Sequence, residues 1–208
     1  MRLQQKLSSD FYTRPDVVTI ARDLIGKYFF SSFDGVLTGG MVVETEAYSG
    51  TSDAACHAHL GRRTKRTQIM YEQGGVAYVY LIYGIYSLFN IVTNAEGTAD
   101  AVLIRAIEPI EGIEEMRLRR GLAKVEPRLT AGPGLVTQAL GISTQHNGTQ
   151  LSGSEIWFED RGMLVPEDQI IAGPRVGVAY AGADALLPWR FSLKGSRWVS
   201  KANPKYPQ

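Results

Sequence analysis

The sequence has one cysteine, Cys56, in 208 residues. No intramolecular disulfide can form, and a reducing, cytoplasmic setting is the simplest expectation. The opening residues, MRLQQKLSSDFY, lack the apolar core of a secretory signal. Long hydrophobic runs are missing too. The most apolar uncharged run, Val76 to Val92, contains Tyr78, Tyr80, Tyr83, Gly84, Tyr86, Ser87 and Asn90, which is too short and too polar for a membrane span. Neither sign of charge dominates: 22 Lys and Arg stand against 21 Asp and Glu, a net +1. A uniformly basic nucleic-acid binder is therefore excluded, but a locally basic face is not. The chain contains no GxSxG elbow, no Walker loop and no HExxH helix, which removes the serine-hydrolase, P-loop and zincin readings. Histidines number three. Cys56, His57 and His59 fit no common zinc spacing, and no second Cys/His pair exists, so we expect no metal and no cofactor. A loop histidine that stacks on or hydrogen-bonds to a ligand is the better use of His57.

What is present fits one compact domain spanning residues 1–208, large enough to bury a core without staples. Val17, Ile20, Ala21, Leu24 and Ile25 share one helical face, and Gly26 can end that helix. Lys27 to Ser31 and Val36 to Tyr48 read as strands, with Gly35, Gly39 and Gly40 as breaks. Residues 49–67 are polar, basic and irregular, a loop of functional length. Strands 76–83 and 85–92 flank Gly84, and 102–107 is another strand. Pro109 is predicted to open a helix to about Arg120, stopped by Gly121. A shorter helix follows Gly132-Pro133 and ends at Gly141. Residues 155–159 and 175–180 read as late strands. Strands outnumber helices and are mostly consecutive. The expected fold is α+β: a curved, mainly antiparallel sheet flanked by helices, with a protruding β-hairpin.

Four segments hold candidate chemistry. In VVETEAY (42–48), strand alternation puts Glu44, Glu46 and Tyr48 on one face. That face is either a pocket wall, where a carboxylate activates water, or a solvent-facing polar edge. In AYVYLIYGIYSLFN (77–90), Tyr78 and Tyr80 share a face and Tyr83 stands at the hairpin tip. An exposed ring there is a wedge for a base stack or half of a buried aromatic strand pair. In AVLIRA (101–106), Arg105 interrupts an apolar strand. It needs a ligand or a salt bridge, with Glu44 or Glu46 as the partners at hand. Arg62, Arg63, Lys65 and Arg66 form a basic cluster in the loop, which is a phosphate-contacting face or a set of solvated charges.

Taken in order, these segments resemble the alkyladenine DNA glycosylase family, the mammalian-type 3-methyladenine DNA glycosylases. The resemblance runs from about Phe11 to Val199. It rests on VETEAY (43–48), His57 nine residues after Tyr48, YVYLIYGIY (78–86), Asn90, VLIRAIEPIEG (102–112), GPGL with QALGI (132–142) and RVGVAYAG (175–182). Each piece is weak alone; the ordered set is highly specific.

The resemblance implies a glycosylase acting on double-stranded DNA that contains damaged purines; a monomer is expected because a protein wrapping one flipped base needs no symmetry mate, and the uncharged run leads us to expect no membrane attachment. By matched position, Glu46 activates water, and Arg105 and the main chain at Val176 help to hold that water and the adjacent phosphate. Tyr48, His57 and Tyr80 sandwich the flipped base, and His57 reads its edge. Tyr83 fills the hole left in the stack, and Asn90 excludes guanine through its 2-amino group. No lysine matches a Schiff-base position, which implies hydrolysis without strand cleavage. Two positions depart from many relatives: Leu135 replaces a lysine, removing one phosphate contact, and Ile85 replaces a methionine beside the wedge, altering the base pocket. Three rivals remain. A free-nucleoside hydrolase needs neither the Tyr83 wedge nor the basic loop. A non-catalytic damage-binding module does not need Glu46 and Arg105. An RNA-binding aromatic sheet would carry an RNP-type motif, which is absent.

Overall fold

The computed structural model describes residues 5–201. Nine strands form one sheet: β1 (Gln5–Lys6), β2 (Tyr28–Phe33), β3 (Val36–Tyr48), β4 (Val76–Ile82), β5 (Tyr86–Thr93), β6 (Asp100–Glu111), β7 (Ile156–Asp160), β8 (Ile170–Gly173) and β9 (Arg190–Leu193). The main path runs β1-β7-β2-β3-β6-β5-β4, and β9 joins β3 to β8. Every pairing is antiparallel. Four α-helices accompany the sheet: α1 (Ser9–Tyr12), α2 (Val17–Asp23), α3 (Ile113–Arg119) and α4 (Pro133–Leu140). The fold is α+β, as the strand-rich pattern implied.

Helix α2 starts where Asp16 accepts hydrogen bonds from the Val18 and Thr19 amides, satisfying two orphan donors of the first turn. It buries Val17, Ile20 and Ala21 against the sheet, and the Thr45 hydroxyl donates to the Ala21 carbonyl at 2.7 Å. Val43 and Ala47 lie on the same side of β3, in a core with Phe29, Phe89, Ile104 and Phe158. The opposite side of β3, carrying Glu44, Glu46 and Tyr48, is left for other work. Helix α4 begins at Pro133 and ends on Gly141 in the left-handed region, the two end signals expected of it.

Three expectations need correction. Pro109 does not open a helix; it lies near the end of β6, opposite Gly40. A side chain at Gly40 would come within 2.3 Å of the Glu108 carbonyl oxygen, so this glycine admits the close-running β6 backbone rather than breaking β3. Gly39 likewise makes room for the Phe30 ring, and β3 runs on for 13 residues. Second, residues 175–180 form no strand. Gly177 has φ +79°, and a short 3₁₀ stretch follows from Ala179. Third, β8 and β9 fall in a region where the sequence predicts no strand, and β9 lies beside the charged stretch of β3, pairing Glu44 with Ser192 and Glu46 with Arg190.

Candidate active site

Strand β3 pairs with β6 through three register shifts, two of them beside Glu44. Val42 faces Ile107 and Glu44 faces Ala106, then Thr45 faces Ile104. Arg105 has no partner in this register; it is the extra residue of a β-bulge, the device that re-aims one side chain in a strand. It points among the carboxylates of β3. Its Nε donates to Glu44 Oε1 at 3.0 Å, and its Nη1 lies 3.2 Å from Glu46 Oε1. Glu44 and Glu46 are both fully buried, and Arg105 is 6% exposed. This removes the reading of the β3 face as a solvent-facing edge. Burial opposes the Arg105 charge, but the Glu46 and Glu44 carboxylates outweigh it and hold the guanidinium above its usual range.

Glu46 is held from three directions. The Tyr48 hydroxyl donates to Oε2 at 2.8 Å. The Val176 amide donates to Oε1 at 2.7 Å, beside Arg105. The resemblance gives Arg105 and the Val176 main chain a water and the adjacent phosphate to hold; the structure sets both against the Glu46 carboxylate. All three partners line a cleft of about 800 Å³, so Glu46 sits directly behind its wall. Burial, with the Glu46 charge adding to it, drives the Tyr48 phenol well above its usual range, so Tyr48 remains a donor.

The cleft is mainly aromatic and apolar. Tyr48, His57, Tyr78, Tyr80, Tyr83 and Asn90 line it. His57 meets Tyr80 edge-on at 4.7 Å between centroids. Its Nδ1 lies 2.9 Å from the Tyr78 hydroxyl, and its Nε2 accepts from Arg66 at 3.3 Å. That pairing places the ring proton on Nδ1. Burial, assisted by the nearby Arg66 and Arg62 charges, lowers His57 to about 4, so the ring is neutral at pH 7. Asn90, on β5, donates from Nδ2 to the Tyr78 carbonyl at 3.2 Å. Arg66 lies over the Tyr80 ring at 4.5 Å, and Arg63 over Tyr71 at 3.9 Å. The basic loop is thus pinned to aromatic rings at two points.

At the mouth of the cleft the β4–β5 hairpin turns through Tyr83 (φ +53°) and Gly84 (φ +69°), closed by the Ile85 amide on the Ile82 carbonyl at 3.1 Å. Two consecutive positive φ values mark a type I′-like turn, which asparagine and glycine favour. A tyrosine there is strained. It is also 72% exposed. Ile85, expected in the base pocket, is instead equally exposed at the hairpin tip and does not line the cleft. Gly132, Pro133, Gly134 and Leu135, at the start of α4, form the facing rim. Gly134 is open because a side chain there would meet Tyr86 at 2.9 Å.

A second buried arginine, not predicted from the sequence, stands beside Tyr48. Arg175 is 2% exposed. It pairs with buried Asp53 through both terminal nitrogens, Nη2 at 2.8 Å, and donates to the carbonyls of Ala47 and Asp184. Its guanidinium lies 4.8 Å from the Tyr48 ring centroid. Arg175 in RVGV is, like Arg105, a cation in an apolar run and carries the same signal in the sequence; nothing in the sequence marks Asp53. Cys56 is buried, its thiol pushed up to about 12 by desolvation. Among the described residues no group of three His, Cys, Asp or Glu is arranged to hold a metal ion, and no helix is long and apolar enough to cross a membrane.

The sequence matches the methylpurine-DNA glycosylase family over residues 10–197. A protein of Bacillus cereus (strain G9842), carried under the provisional name 3-methyladenine DNA glycosylase, is 42% identical over 198 residues, spanning 89% of this chain and 95% of its own. One of Carboxydothermus hydrogenoformans, under the same name, is 45% identical over 195 residues, spanning 94% and 98%. With this breadth of match and a cleft built from the residues the motifs singled out, the chain belongs to the methylpurine-DNA glycosylase family, and with it to the DNA N-glycosylases of base-excision repair.

Proposed function

We propose that the protein excises alkylated or deaminated purines, of the 3-methyladenine, hypoxanthine and ethenoadenine class, from double-stranded DNA after flipping the damaged nucleotide into the cleft. The observation that carries this reading is Glu46: a fully buried carboxylate held by three groups that themselves line an aromatic cleft. Burying two carboxylates and an arginine contributes little net stability, so such a cluster behind a cleft wall points to chemistry.

Tyr83 enters the stack as the base leaves. Unstacking costs a few kcal/mol, less for a damaged or mispaired base. Stacking of the flipped base between Tyr48, His57 and Tyr80 returns roughly 1–3 kcal/mol. Neutral His57 reads the base edge, and Asn90 meets and rejects the 2-amino group of guanine. Departure of the base builds positive charge on the sugar. Glu46 stabilises that charge across the cleft wall and deprotonates the attacking water, while Arg105 and the Val176 amide hold the carboxylate in place and stand within reach of the water and the adjacent phosphate. The step is a hydrolysis needing no metal or organic cofactor, and it leaves the strand intact. The protein acts as a monomer in the cytoplasm, since one flipped base needs no symmetry mate.

The test is base release from duplexes carrying one hypoxanthine, one ethenoadenine or one methylated purine, with chelator present. Release of at least one lesion base, unaffected by chelator and without strand scission, is the expected result. Tight lesion binding with no release from any of them would instead describe a damage-binding protein.

A further inference from the structure

Arg105 has five donors in a rigid fork, and its Nη1 faces Glu46 at 3.2 Å. The rest of the fork is fixed from behind. Glu44 Oε1 takes the Nε proton at 3.0 Å, and the Ser200 hydroxyl lies 3.2 Å from Nη2. Ser200 also grips Glu44 directly: its amide donates to Oε2 at 2.7 Å and its hydroxyl to Oε1 at 2.9 Å. Arg190 on β9 approaches Glu44 Oε1 at 3.5 Å. Glu44, like Glu46, is fully buried and absent from the cleft lining, but of its partners only Arg105 lines the cleft while Ser200 and Arg190 stand outside it, so Glu44 reaches the cleft only through Arg105. Ser200 lies beyond the last residue of the family match. Both are therefore outside the residues assigned to the reaction.

We infer that Glu44 and Ser200 are positioning residues for base excision: together they clamp the back of the Arg105 guanidinium, and so fix where it holds Glu46. This follows from hydrogen-bond geometry. With its Nε and Nη2 edges occupied, the guanidinium has one place left to aim Nη1, at the Glu46 carboxylate. Without the clamp, a buried arginine beside one carboxylate can pivot to pair with it through both terminal nitrogens, as arginine prefers. That shift would drag Glu46 from its aim at the sugar, and a misplacement of about 1 Å can cost on the order of 10²-fold in rate. The segment around Ser200 thereby becomes a distant part of the active site, reached through two buried charges.

The inference rests on the proposed roles of Glu46 and Arg105, and the experiment separates the two. Single-turnover excision at saturating enzyme and equilibrium binding to lesion duplex are measured for wild type, Glu46→Gln, Glu44→Gln and Ser200→Ala. The expected result is that Glu46→Gln is inactive. Glu44→Gln should lose on the order of 10²-fold in excision rate and Ser200→Ala about 5-fold, a share of that misplacement cost, with lesion affinity within about 2-fold of wild type for both, since neither touches the cleft. If Glu44→Gln does not fold, Ser200→Ala alone decides. Wild-type excision by Ser200→Ala and Glu44→Gln, with Glu46→Gln inactive, overturns the clamp but leaves the proposed function standing. Parallel loss of excision, affinity and thermal stability also overturns it, since the role would then be structural only. An active Glu46→Gln overturns the reading beneath it.

Discussion

The back wall and the mouth of the cleft are built on opposite terms. At the back, Glu44, Glu46 and Arg105 are buried in the middle of the sheet, and each is held by several partners from β3, β6, β9 and the Ser200 segment. At the mouth, Tyr83 and Ile85 stand exposed on a two-strand hairpin, and Tyr83 holds a positive φ unsuited to its side chain. The back wall fixes atoms to within hydrogen-bond tolerance, which transition-state chemistry requires. The mouth keeps an apolar ring in water at a cost in both solvation and strain, which makes sense only where something arrives to cover it. Chemistry is over-determined; recognition is left unpaid until the ligand comes.

That contrast can be broken most severely at Arg105. Arg105→Ala leaves two buried carboxylates without their shared cation, so it should cost about 3–5 kcal/mol of stability, read from the denaturant midpoint. A loss below about 1 kcal/mol would mean that water or Arg190 already compensates the pair, and the back wall would be looser than its geometry suggests.

The mouth should respond in the opposite sense. Tyr83→Asn creates Asn-Gly, the favoured pair for this turn, and removes a bulky side chain from positive φ. Stability should rise by about 0.5–1 kcal/mol, while affinity for lesion duplex falls about tenfold, the loss of one stacking contact. Thermal melting and a binding titration on the same variant check both halves. A destabilised variant that binds normally would remove both the strain and the wedge.

A third effect is expected at His57, in the lining of the cleft. Its value in the folded protein, about 4, lies below the ordinary 6.5. The unfolded chain therefore binds more protons between these pH values, and stability falls as pH drops. The contribution is fully present above about pH 6.5 and is lost as pH falls toward 4. His57→Gln should consequently lose less melting temperature than wild type between pH 7 and pH 4.5. Equal losses would place the acid sensitivity elsewhere.

Much of this site could be read from alternation and turn chemistry. Glu46 and Tyr48 two residues apart on a strand had to share a face, and Tyr83-Gly84 between two apolar strands had to be a tip. Pro133 and Gly141 marked both ends of α4. The rest depended on contacts between distant segments. Nothing local reveals that β9, whose Arg190 pairs with Glu46 from 144 residues away, runs alongside the charged stretch of β3, or that Ser200 bonds to the Glu44 carboxylate. The bulge that aims Arg105 is a property of register between two strands, not of either sequence. Pro109 misled because the signal that starts a helix also suits the end of a strand beside Gly40, and Gly39 and Gly40 looked like breaks because a missing side chain gives no hint of which neighbour fills its space. Ile85 was assigned to the pocket by position beside the wedge; the turn carries it outward instead.

The most direct test of the account is one variant measured two ways. Glu46→Gln keeps the shape of the side chain and removes the base. Excision of hypoxanthine or 3-methyladenine from duplex DNA should fall by about 10³-fold or more, the scale of losing a general base and its charge, while affinity for the lesion duplex stays within about threefold of wild type because the aromatic cleft and hairpin are untouched. Excision by the variant at a rate comparable to wild type would contradict the account, since the carboxylate behind the cleft wall would then have no part in the chemistry.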